Sequence, residues 1–141
     1  MSTFFKDVLG EMRSSPVTAP IIHVASDATS DFPIFVAPYP CYIVNVFAHY
    51  QDAVTGADTN SQNINIDTRT AAGASAVEIA NRDHANGVNA AENEVHQFTF
   101  TGTTAQRTLT EGMIVMVEYE EVGTGSPTLG TIYFHVEYRA K

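Results

Sequence analysis

Residues 41–50, CYIVNVFAHY, decide the fold class. In an extended chain successive side chains point to opposite faces. Tyr42, Val44, Val46, Ala48 and Tyr50 therefore fall on one side, and Cys41, Ile43, Asn45, Phe47 and His49 on the other. Both sets are largely apolar, which predicts a strand covered on both faces.

Outward from this run the same grammar repeats. Upstream, FPIFVAP (32–38) reads as a strand stopped by Pro38 and Pro40. Downstream, QDAVTGADTN (51–60) is turn chemistry, and SQNINID (61–67) alternates Ile64 and Ile66 against Asn63 and Asn65. Residues 69–93 are rich in Ala, Asn and Gly; AVEIANRD (76–83) reads as a short strand or one helical turn, and HANGVNAAEN (84–93) holds an Asn-Gly turn signal. VHQFTFTG (95–102), QRTLTEG (106–112) and MIVMVEYEEVG (113–123) each end in glycine. GTGSPTLG (123–130) is a loop, and TIYFHVEYRA (131–140) the last strand. About eight strands without a long internal helix leave too little helix for a parallel βαβ sheet. The expected fold is all-β: an antiparallel jelly-roll-like sandwich or barrel over residues 32–141.

Residues 1–31 read differently, as an N-terminal arm. Phe4, Phe5, Val8, Leu9 and Met12 recur at helical spacing, with Lys6, Asp7 and Glu11 turned away, so a short amphipathic helix is expected, capped by Ser2 or Thr3. So short a helix needs a surface to lie on, either its own domain or a neighbour. Pro16 and Pro20 then impose extended chain, with 21–25 as a candidate edge strand. The partner-binding residues of such an arm are Phe4, Phe5, Val8, Leu9, Met12, Ile21 and Ile22.

Composition narrows the function classes. At 141 residues the chain fits one domain, and 44% hydrophobic residues supply a core. Only 16% are charged, below the roughly 25% usual for soluble domains; the surface must be covered by small polar residues or partly hidden in an assembly. The net charge of −9, with seven scattered basic residues, provides no stripe to displace counterions from a nucleic acid and is repelled by an anionic membrane. No run reaches the ~18 apolar residues of a membrane span, and the first fifteen residues lack the apolar core of a secretory signal. A lone cysteine, Cys41, rules out an intrachain disulfide.

Nothing in the sequence is spaced for catalysis or for a cofactor. His23, His49, His84, His96 and His135 are isolated, without the His-x-His pair of a cupin-type metal site. Cys41 lies in an apolar strand that disfavours its thiolate. Gly123 and Gly125 lack the third glycine and following helix of a phosphate cradle. Glu118, Glu120 and Glu121, with Glu111 and Glu137, contain carboxylates for a glycosidase pair, but a strand-end acidic cluster ordinarily faces water or guards an edge. Asp52, Asp58 and Asp67 flank a turn without the full calcium-loop pattern, and Asx-turns account for them.

Two stretches carry a family resemblance. AHYQDAVTGADTNSQNINI (48–66) and LTEGMIVMVEYEEVGTGSPTLGTIYFHVEY (109–138) resemble runs in jelly-roll capsid decoration (cement) proteins of tailed bacteriophages. The resemblance covers roughly residues 32–141 and rests on strand and turn phrases, so it implies architecture and role, with no functional residues carried over. It implies a virion structural protein that is not an enzyme and has no cofactor. Such a protein is made in the host cytoplasm and sits on the outer capsid surface as a homotrimer, bridging major capsid protein subunits through an arm. A second reading is a fibre or tail component whose β-domain binds a host glycan, with Tyr39, Tyr50 or Tyr133 stacking on sugars.

Overall fold

The computed structural model describes residues 12–19 (as backbone), 30–123 and 129–141. Among the described residues nine strands run in order: β1 (Met12–Ala19), β2 (Ser30–Val36), β3 (Cys41–Tyr50), β4 (Ser61–Arg69), β5 (Val77–Asp83), β6 (Val95–Gln97), β7 (Thr108–Leu109), β8 (Ile114–Val122) and β9 (Ile132–Ala140). One sheet is ordered β1-β9-β3-β6, with β7 also on β3; the other is ordered β2-β8-β4-β5. Every pairing is antiparallel. The pairs nest, β1 with β9, β2 with β8, β3 with β6 and β4 with β5, so the chain is one long hairpin rolled into two facing sheets. That is a jelly-roll β-sandwich, and the expected fold class holds.

The core lies between the sheets. Ile43, Val46, Ile132, Phe134 and Val136 meet Ile64, Ile66, Val115 and Val117, all buried. β3 departs from the expectation of a strand covered on both faces. Ile43 registers with Tyr138 but Asn45 with Glu137, leaving Val44 as an extra residue. This bulge switches the inward phase: Cys41 and Ile43 are buried before it, and Val46, Ala48 and Tyr50 after it. One face of the strand makes core throughout.

A second bulge explains the ambiguous 76–83 run, which is a strand. Asp67 registers with Glu78 and Ile66 with Ala80, so Ile79 is the extra residue and lies buried beside Ala80. Two adjacent buried residues broke the alternation that marks a strand.

At the N-terminal end, Met12 opens β1 and does not end a helix; β1 supplies the sheet edge, pairing Met12–Ala19 along β9. Ile21–Ala25, read as the edge strand, lies outside the described residues, as does the helix expected over the first turns.

Candidate interaction surfaces

The outward faces of the two sheets carry different chemistry. On the β9-β3-β6 side, cross-strand rows set Val95, His49 and Tyr133 together, then Gln97, Phe47 and His135. The rings pair across β3 and β9: Phe47 and His135 lie 5.9 Å apart between centroids, and His49 and Tyr133 6.2 Å. Beside them the Gln97 amide donates to Asn45 Oδ1 at 2.8 Å, and the Asn45 amide donates to Glu137 Oε2 at 2.6 Å. Tyr133 is 36% and Val95 62% exposed, so aromatic and aliphatic surface reaches solvent here. The single asparagine in the apolar run 41–50 was the sequence signal for this face.

On the other sheet the outward rows are acidic and amide-rich. Asn63 stands between Asp83 and Glu120, and Asn65 between Asn81 and Glu118, with Asp31 beyond Glu118. Arg69 bridges two of the carboxylates, Asp31 at 2.9 Å and Asp67 at 3.3 Å. Partial burial, with the charges of Asp31 and Asp67, pushes the Glu118 carboxyl above its usual range. A surface so rich in acceptors fits a partner that brings cations or N–H donors.

Other residues singled out by their chemistry disperse. Glu137 is on the opposite sheet from Glu118 and Glu120, while Glu111 is exposed in the turn before β8. Asp52 accepts the Thr131 amide (3.3 Å), Asp58 accepts from the Asn86 side chain (3.2 Å) and Asp67 pairs with Arg69, so the three do not converge. Gly123, at φ +86°, makes a left-handed turn against the backbone of Thr59. Among the described residues, no group of three or more His, Cys, Asp or Glu side chains is placed to hold a metal ion. Nor is any helix among them long and apolar enough to cross a membrane.

Of the tyrosines considered for sugar stacking, Tyr133 is exposed and Tyr39 is half-buried near Tyr138, at 6.1 Å. Tyr50 is wholly buried, which removes it from any surface. It belongs instead to an internal polar cluster that the sequence did not reveal: its hydroxyl meets His84 Nε2 at 2.9 Å, and Arg82 lies 5.0 Å from its ring centroid. Of the arm residues, Phe4, Phe5, Val8, Leu9, Ile21 and Ile22 lie outside the described residues; Met12 is placed as the first residue of β1.

No protein-family model matches the chain, and no curated protein does. Among solved structures, it is similar to a chain from one described as the structure of infectious bursal disease virus Gx strain. The identity is 12% and the TM-score 0.41, over 92% of this chain and 32% of that one. The chain thus spans about a third of that neighbour's length, and a likeness of this degree assigns no function.

Proposed function

We propose that this protein is a virion structural component that decorates a capsid: a homotrimer on the outer shell, binding across neighbouring major capsid protein subunits, with no enzymatic activity. One observation carries the reading. The two stretches that resemble phage decoration proteins, 48–66 and 109–138, supply the end of β3, most of β4, all of β8, and most of β9. These strands are direct neighbours, β3 with β9 and β4 with β8, so the resembling phrases form the middle of both sheets. Jelly rolls serve several functions, and the outer faces support assembly among them. One presents aromatic and aliphatic groups, and the other an acidic lattice complementary to a basic subunit surface. Ahead of β1, the apolar side chains Phe4, Phe5, Val8 and Leu9, each worth about 1.5–3 kcal/mol when fully buried, offset part of the roughly 1–2 kcal/mol per residue needed to order a backbone. Simultaneous engagement by three arms adds avidity.

Quantitative mass spectrometry of purified virions tests the role. Hundreds of copies per particle are expected, and a handful would place the protein in a tail or fibre. Removing residues 1–11 leaves β1 whole; the shortened protein should fold but fail to decorate emptied shells, and undiminished decoration would exclude the arm. Sedimentation that gives a monomer at micromolar concentration would exclude the trimer.

The exposed Tyr133, beside His49 and Phe47, favours a second reading, a glycan-binding fibre domain. A glycan array on which the intact protein binds, with loss of binding in Tyr133→Ala, would select it over decoration.

A further inference from the structure

At one end of the sandwich two loops lie on each other, residues 51–60 between β3 and β4 and residues 84–94 between β5 and β6. Val54 and Ala90 exchange both backbone hydrogen bonds at 2.9 Å, the Ala57 amide donates to the His84 carbonyl at 3.1 Å, and the Gly56 amide donates to Asn89 Oδ1 at 3.0 Å. Buried side chains tie this pair of loops to the sheets, Arg82 of β5 and His84 among them. His84 is wholly buried, with Nδ1 2.9 Å from the Val88 carbonyl and Nε2 2.9 Å from the Tyr50 hydroxyl. A carbonyl only accepts, so Nδ1 carries the proton, and Nε2 is left to accept from the phenol. The neutral ring satisfies both contacts, one to its own loop and one to the end of β3.

The charged ring fits badly. A proton on Nε2 would face the Tyr50 oxygen and force the phenolic hydrogen to a new acceptor. The groups facing the site are Arg82 and Asp83 from β5, Tyr50 from β3, Tyr119 from β8, Glu94 from the loop and His96 from β6. Arg82 lies over the Tyr50 ring, and its own partners are the Glu94 carboxylate at 3.0 Å and the Asn89 carbonyl at 2.7 Å. The Glu94 carboxylate is therefore already committed to a cation.

We infer that His84 is an acid-operated latch: neutral, it fastens the paired loops to the sandwich, and on protonation it lets that end of the molecule open. Burial, the largest cause, pushes its pKa below the ordinary 6.5, with Arg82 adding to the effect. His84 is thus neutral in the fold and protonated first in the opened loop. Its contribution is complete above about pH 6.5 and is lost as pH falls through the lower folded value.

Amide hydrogen exchange on the full chain tests this, expressed as protection relative to the intrinsic rate. The probes are Val54, Ala57, Val88 and Ala90. Between about pH 7.5 and about pH 5 their protection should fall, by at most about tenfold per pH unit for one proton, while amides of β3 and β9 in mid-sheet hold theirs. His84→Gln, which does not titrate there, should abolish the pH dependence whatever its baseline, and His96→Gln should keep it. Unchanged protection down to pH 5 in the native chain, or an equal fall in His84→Gln, overturns the latch. Should His84→Gln not fold, nitrogen-detected imidazole spectra of the native protein decide. Loop protection lost while the His84 ring is still neutral also overturns the proposal, and loss that tracks ring protonation supports it.

Discussion

Cys41 starts β3 wholly inside the sandwich, and burial pushes its thiol up to about 11 from 9.0. The thiolate is the reactive form, so a two-unit rise leaves about a hundredfold less of it at mildly alkaline pH. A disulfide reagent at pH 8 should label the native protein at least about a hundredfold more slowly than the protein in urea; labelling at the denatured rate would contradict the burial. Gly56 is constrained by space and not by dihedral angle. A Cβ there would fall 1.9 Å from the Ala85 carbonyl oxygen and 2.8 Å from those of His84 and Val88. Since all three are backbone atoms, Gly56→Ala must part the two loops, at about 1–3 kcal/mol by the usual scale of overpacking. Urea unfolding measures this, and an unchanged midpoint would mean the loops separate freely.

Among the elements, β3 shows how one residue rearranges a strand. With Val44 removed, Cys41, Ile43, Val46, Ala48 and Tyr50 alternate without interruption, and the inward set is the one the fold already uses. Deletion of Val44 should therefore be tolerated, costing ~1 kcal/mol for a half-buried valine. Deleting Phe47, downstream of the bulge, sends Ala48 and Tyr50 outward and His49 into the core, because a one-residue slip exchanges faces. That variant should not fold cooperatively. Circular dichroism and urea titration separate the two outcomes, and equal behaviour would dispose of the bulge as the phase switch.

For the molecule as a whole, nesting makes most pairings distant in sequence: Cys41 registers with Ala140, and Met12 with Arg139. Of the sheet neighbours, only β4 and β5 are joined by a short connection. Loop closure must precede the contacts that repay it, which places refolding in the range of roughly milliseconds to seconds seen for all-β sandwiches. Stopped-flow fluorescence of the tyrosines follows this; refolding within microseconds would be incompatible with the topology.

The amino-acid sequence by itself determined that the protein is all-β, where most strands lie and where they stop. Alternation and turn residues are local properties, legible in CYIVNVFAHY, in SQNINID and in the glycine-ended runs from 95 to 123. Tertiary structure decided which of two equally apolar faces of β3 became core, since the extra residue at Val44 exists only relative to β9. It also decided that 76–83 is a strand, because a bulge relative to β4 hides its alternation. Tyr50 and His84 became partners across thirty-four residues for the same reason: nothing in the chain between them encodes the meeting. Period and turn chemistry act over a few residues, whereas register and burial arise only when distant segments compete for the same neighbour.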